Sequence, residues 1–198
     1  MPQAERSLRL FWAVVPPVEV RHAVAHALAH APATVLPRGL RMVGQDNLHF
    51  TLHFLGAVKP ETLPALEAAG QVAAAAVSAF ELRVGGRGAF PRAERAKVVW
   101  LGVEHGAGPL CALAQQITDA DVALGFPREP RAFMPHLTLA RLKEPAPVRE
   151  LLHALQVPEL CFHVDALSLM RSHFRSEGAR YEQLVRLPLR VASQPEPA

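Results

Sequence analysis

The stretch HFTLHFLG, His49 to Gly56, decides how this chain is read, because HLTLARLK, His136 to Lys143, repeats its opening. Both begin His-x-Thr-Leu inside a run of strand-forming residues. Successive side chains of a strand point to opposite faces, so His49 and Thr51 share one face and Phe50, Leu52 and Phe54 the other. By the same alternation His136 and Thr138 point one way and Leu137 and Leu139 the other. Each copy thus sets an imidazole and a hydroxyl about 6 to 7 Å apart along the strand, over an apolar face that builds a core. One His-x-Thr on a strand is ordinarily an accident of a half-exposed face. Two copies in matching contexts call for a shared purpose.

The contexts match in element order. The first motif follows a strand, Leu8 to Val15, and a helical pattern with Val20, Val24, Ala27, Leu28 and Ala31 on one side; an alanine-rich helix follows it, from Lys59 towards Ser78. Before the second motif come Leu110, Leu113, Ala114, Ile117 and Leu124 at helical spacing, and after it Val148, Leu151, Leu152 and Leu155. Further strands are expected at Arg41 to Val43, Phe80 to Arg87, Val98 to Val103, Phe162 to Met170 and Tyr181 to Leu189. The connection GGRGAFPRAERAK, from Gly85 to Lys97, reads as a long, basic, mobile loop. This order predicts an α+β fold of two related halves, antiparallel sheets with helices on one face, rather than a doubly wound parallel sheet. Residues 1–192 are expected to form one bilobal domain, and 193–198, rich in Pro and Glu, a disordered tail.

Composition narrows the class. With 198 residues, half of them hydrophobic, the chain can bury a real core. The net charge is only +3, yet arginine supplies nearly all the positive charge, which suits planar recognition of phosphate. LFWAVV, ending before Pro16, is too short for a signal-peptide core or a membrane span. Cys111 and Cys161 lack metal-ligand spacing and sit among apolar residues, which predicts buried thiols and a reducing, cytoplasmic setting. Nothing indicates an obligate interface, and a monomer is expected.

Two histidines on opposite sides of a phosphorus centre suit in-line displacement, one taking a proton while the other gives one. Threonine hydroxyls donate hydrogen bonds to the non-bridging oxygens. No acidic cluster suggests a two-metal site. His49 and His53 are too far apart along a strand, roughly 13 Å, to share a zinc ion, so His53 is expected on the cleft wall or surface. His22, His26 and His30 form a stripe opposite the apolar side of the first helix and are read as a solvated face. Arg87, Arg92, Arg95 and Lys97, with Arg171, His173 and Arg175, are candidate contacts to an RNA backbone.

Taken with RLFWAV, FELRVGGRGAFPRAERAKVVWLGV, ALGF, LMRSHF and GARYEQL, the motifs DNLHFTLHFLG and MPHLTLARLK make the chain resemble the two-histidine phosphoesterase superfamily. Within it, the likeness is to the RNA 2',3'-cyclic phosphodiesterases, also called 2'-5' RNA ligases, along nearly the whole chain. The resemblance implies a bilobal fold with a central cleft, hydrolysis of RNA 2',3'-cyclic phosphate ends to a 2'-phosphate, reversible 2'-5' ligation in some members, and no cofactor or metal. RNA ends such as tRNA fragments would be its partners. It assigns His49 as proton donor, His136 as general base, and Thr51, Thr138 and Arg141 to the phosphate. Phe54 occupies in the first motif the place of Arg141 in the second, a further candidate RNA contact. Strict alternation from His136 points Arg141 away from the cleft, so its role requires the strand to bulge, end or twist. Two other readings stay open: a phosphodiesterase for small cyclic nucleotides or 2'-5' oligonucleotides, and a non-catalytic RNA-end binder.

Overall fold

The computed structural model describes residues 7–175 and 178–191, so the expected tail at 193–198 lies outside the described residues. Among the described residues nine strands form two antiparallel sheets. The first sheet has the order β3-β1-β8-β9, from β1 (Leu8–Val14), β3 (Phe50–Val58), β8 (Ala166–Arg175) and β9 (Gly178–Pro188). The second has the order β2-β6-β5-β4-β7, from β2 (Leu40–Met42), β4 (Phe80–Phe90), β5 (Ala96–His105), β6 (Leu137–Ala146) and β7 (Leu160–Val164). Of the helices, α2 (Leu63–Ala76) and α3 (Ala107–Ala123) pack on the first sheet, and α1 (Val18–Ala29) on β6 and β7 of the second; α4 (Arg149–Ala154) follows β6. The α+β architecture with helices outside antiparallel sheets is the one the element order predicts.

One apolar core runs through both halves. It includes Leu10, Trp12 and Val14 of β1, Val20, Val24 and Leu28 of α1, Leu110, Leu113 and Ile117 of α3, and Leu137 and Leu139 of β6. Those helical positions recur every three to four residues, which is why the pattern is visible in the sequence. A smaller cluster of Phe11, Ala13 and Met170, with Val15 and Tyr181 against it, covers the opposite face of the first sheet. β1 is thus apolar on both faces.

Several expectations are corrected. The expected strand from Phe162 to Met170 is two strands, β7 and β8, in different sheets. The chain crosses between sheets at exposed Asp165, which accepts a bond from Arg186 at 2.6 Å. Most of the expected mobile loop at 85–97 is strand, because β4 continues to Phe90, which pairs with Val98. Gly86, at φ +71°, absorbs a bulge in β4, a conformation that suits a residue without Cβ. Only Pro91 to Arg95 remain for the turn. Cys161 is exposed and Cys111 half-buried, since β7 turns Leu160, Phe162 and Val164 inward and Cys161 outward. His22, His26 and His30 are exposed, the last two stacked with ring centroids 3.9 Å apart. No helix among the described residues is long and apolar enough to cross a membrane.

Candidate active site

Both histidine motifs carry the same irregularity. On β3, Thr51 pairs with Ala13 and His53 with Trp12, leaving Leu52 as an extra residue. On β6, Thr138 pairs with Trp100 and Ala140 with Val99, leaving Leu139 extra. A bulge of one residue reverses the alternation beyond it. Thus Arg141 returns to the face of His136 and Thr138, as its expected role required, and Leu139 stays buried. The same reversal corrects the first motif: Phe54 is not a core residue but 38% exposed, with the Arg9 guanidinium 5.2 Å above its ring.

His53 is corrected too. The reversal turns it off the cleft wall and into the core beside Trp12, where it is 2% exposed. Its Nδ1 lies 2.6 Å from Asp121 Oδ2 on α3, and its Nε2 3.1 Å from the Pro127 carbonyl. Trp12 Nε1 donates to the other Asp121 oxygen at 3.3 Å. Burial alone would pull the His53 pKa down, but the bonds to Asp121 and Pro127 and the charges of Asp121 and Glu129 outweigh it and raise the value.

The two catalytic candidates are held alike. His49 Nδ1 donates to the Asn47 carbonyl at 2.7 Å, leaving Nε2 to accept from the Thr51 hydroxyl at 2.9 Å. His136 Nδ1 donates to the Met134 carbonyl at 2.8 Å. Each carbonyl lies two residues upstream and fixes the tautomer, so the reactive nitrogen is Nε2 in both. Burial pushes the His49 pKa down to about 4; the Asn47 carbonyl opposes that, and the charges of Arg141 and His136 deepen it. Burial likewise lowers His136, against the Met134 carbonyl and with Arg141. Arg141 therefore acts electrostatically on both rings, and His136 on His49, across the contact between β3 and β6. Such a site favours an anion, which would return protons to the imidazoles.

Aromatic side chains flank each ring. Phe11 and Tyr181, the only tyrosine, lie 4.8 and 5.0 Å from His49, and Phe90 and Trp100 lie 5.1 and 6.4 Å from His136. Gly88 lets the Trp100 indole lie against β4, where a Cβ would collide with it. Asn47 ties this wall to the motif: its Nδ2 donates to the Ala179 carbonyl at 2.7 Å and its Oδ1 accepts from the Tyr181 amide at 3.2 Å. Sequence reasoning gave no role to Asn47, Phe11, Tyr181, Phe90 or Trp100, since none adjoins a catalytic residue in a pattern periodicity can detect. It also passed over Arg41, which pairs directly across from Arg141 on β2.

The remaining expected contacts divide. Arg92 and Arg95 are exposed on the turn after Phe90, with Glu94 between them bound to Arg149. Arg87 instead donates to the carbonyls of Leu152 and Leu155, and Lys97 is exposed on β5. Arg171 and His173 alternate with Met170 and Ser172, which places them on the opposite face of β8, where both meet Glu182, His173 at 2.7 Å. The structure does not bring these two to the cleft.

The profile of the 2'-5' RNA ligase superfamily matches residues 16–174. The chain belongs to this superfamily. Among superfamily relatives, the RNA 2',3'-cyclic phosphodiesterase of Thermus thermophilus is 36% identical over 191 residues, covering 92% of this chain and 91% of that protein. Those of Aeropyrum pernix and Escherichia coli are 34% and 33% identical, over 73% and 91% of this chain and 84% and 96% of theirs. A crystal structure of a Thermus thermophilus protein matches with TM-score 0.75 at 32% identity, over 94% of this chain and all of that one. Escherichia coli LigT complexed with 3'-AMP also matches at 0.75, with 30% identity over 92% of this chain and 98% of that one.

Proposed function

We propose that this protein hydrolyses RNA terminal 2',3'-cyclic phosphates to 2'-phosphates by metal-independent histidine acid/base catalysis. The reading is carried by two tautomer-fixed histidines, each with Nε2 presented for chemistry, sharing one guanidinium, Arg141. The curated relatives carry the same activity in their names.

In this mechanism His136 Nε2 takes a proton from water as it attacks the cyclic phosphate, and His49 Nε2 gives one to the departing 3'-oxygen. Thr51, Thr138 and Arg141 stabilise the charge of the phosphorane. The ligand-free protein holds His49 neutral, so its donor proton arrives with the anionic substrate, whose charge opposes burial and Arg141. In 2'-5' ligation an RNA 5'-hydroxyl takes the place of water and the 3'-oxygen departs as before, so the two histidines keep their roles; cleavage of the 2'-5' linkage back to the cyclic phosphate exchanges them. Phe54, Arg92 and Arg95 contact the RNA beyond the terminal nucleotide. Residues 1–192 act as one bilobal domain, a monomer working in the cytoplasm on cleaved ends such as tRNA fragments.

Product identification decides the matter. A defined oligonucleotide ending in a 2',3'-cyclic phosphate should yield a 2'-phosphate with the unaltered protein and essentially none with His49→Ala or His136→Ala. Undiminished hydrolysis by either variant would remove this mechanism, and a 3'-phosphate product would reverse its regiochemistry.

A further inference from the structure

The histidines of α1 take no part in the chemistry described above. His22, His26 and His30 recur every four residues, so they stand along one face of the helix, and all three are exposed. They line a cavity of about 550 Å³ together with Ala154, Gln156 and Pro158, at and beyond the end of α4. Neither His49 nor His136 lines it. Solvation accounts for the exposure of such a stripe, but not for the arrangement of its last two rings.

His26 lies in the last turn of α1, and His30 is its C-terminal cap. Their rings stack with centroids 3.9 Å apart and planes inclined by 23°. His30 Nδ1 donates to the His26 carbonyl at 2.9 Å, which fixes the tautomer and leaves a lone pair on Nε2. The His26 ring makes no hydrogen bond among the described residues, so it can turn its Nε2 towards that of His30 without losing one. Two histidines four apart on a helix form a metal-ligand pair, because one turn sets both on the same side of a single ion. Donation of the other ring N–H to a carbonyl is the outer bond that metal-ligating histidines ordinarily make. A cation at this end also meets the negative end of the helix dipole.

His22 is less well placed. Its ring lies 6.3 Å from that of His26, and its Nδ1 donates to Gln45 Oε1 at 3.3 Å, which ties it to a different segment. Two helical turns, about 12 Å of rise, separate it from His30, too far to share an ion. No group of three or more His, Cys, Asp or Glu side chains among the described residues is placed to hold a metal, so the face offers two ligands and not three. Imidazole suits copper, nickel and zinc, whereas magnesium and calcium take oxygen ligands. We propose that the C-terminal turn of α1 is a metal site, in which His26 and His30 chelate one divalent copper, nickel or zinc ion through Nε2 and water completes its coordination. The ion takes no part in the phosphate chemistry proposed above.

The test is calorimetric titration of the protein, free of any histidine tag, with copper(II), nickel(II), zinc and magnesium chlorides. One ion of the first three kinds should bind per chain at this turn, copper most tightly, and magnesium should not bind. His26→Ala and His30→Ala should each weaken binding about tenfold or more, since losing a ligand costs no less than losing one of its outer partners. His22→Ala and His49→Ala should leave this binding unchanged. Circular dichroism of the α1 variants should match that of the unaltered protein and so exclude general damage. Absence of binding overturns the site. So does a loss in His22→Ala equal to that in His30→Ala, which would move the ion one turn back along α1. A loss in His49→Ala with none in the α1 variants overturns it as well, by placing the ion in the catalytic cleft. The readout is binding and not turnover, so failure of the hydrolase reading leaves this outcome intact.

Discussion

His53 and Asp121 form a buried pair, Nδ1 to Oδ2 at 2.6 Å, that joins the first histidine strand to α3. Because the Pro127 carbonyl faces the other ring nitrogen, both partners of His53 are acceptors, and only the doubly protonated imidazolium satisfies them. Removing one member strands the other in the core, so His53→Leu or Asp121→Leu should cost about 3 to 5 kcal/mol. The pH dependence has a definite sign. A histidine whose pKa is raised on folding contributes its full stability below its unfolded value, about 6.5, and loses it as pH rises through the folded value. Urea unfolding at a series of pH values should show the advantage of the unaltered protein over His53→Gln shrinking above that point. A constant difference across the series would mean that the ring is neutral.

Asn47 governs two parts of the site at once. Its carbonyl orients His49 and its side chain bonds the backbone of β9 on either side of Arg180, next to the Tyr181 ring that faces His49. Asn47→Ala leaves the Tyr181 amide and the Ala179 carbonyl without this partner, which should destabilise the fold by about 1 to 3 kcal/mol. Asn47→Asp keeps the acceptor for Tyr181 and loses the donor to Ala179, so its kcat and melting temperature should fall between those of Asn47→Ala and the unaltered protein. Equal values for both variants would show that only the bond to Ala179 matters.

Arg41 and Arg141 stand directly opposite one another on β2 and β6. Like charges in that relation destabilise a sheet by about 0.2 to 1 kcal/mol, a cost that is offset when an anion lies between them. Arg41→Ala should therefore leave the melting temperature unchanged or raised while weakening RNA binding. The slope of log affinity against log salt should fall by about 0.7, the contribution of one phosphate contact to a single strand. An unchanged slope would exclude Arg41 from the RNA path.

Strand periodicity makes the two motifs, their apolar faces and the helices around them legible, because burial imposes a period of two or of about 3.6 that a sequence displays directly. What it conceals is the pair of bulges at Leu52 and Leu139. A bulge here leaves the composition of an apolar strand unaltered and shows itself only in pairing with β1 and β5, so alternation assigns Phe54 and His53 each to the wrong face. Arg141 is the exception: a charged residue at a position alternation assigns to the core is itself a sign that alternation has failed. The aromatic pairs, Asn47 and Arg41 come from distant segments, and Asp165 divides an apparently continuous strand. Tertiary register decides all of these.

His49 gives the last prediction, on acid stability. Its pKa stands near 4 in the folded protein, chiefly through burial, against about 6.5 for a free imidazole. Between those values the unfolded chain binds a proton at this residue and the folded protein does not. Stability is therefore complete above about 6.5 and is lost as pH falls towards the folded value, by up to roughly 1.4 kcal/mol per pH unit. His136, lowered in the same direction, adds to the slope. In His49→Gln this part of the acid loss should disappear, so that the variant, whatever its stability at pH 7, falls less steeply between pH values of about 6.5 and 4. Binding of inorganic phosphate should oppose the loss in the unaltered protein, since an anion beside Arg141 draws a proton back to the imidazole. Parallel acid limbs for the two proteins would show that His49 is protonated in the fold, and that its proton need not arrive with the substrate.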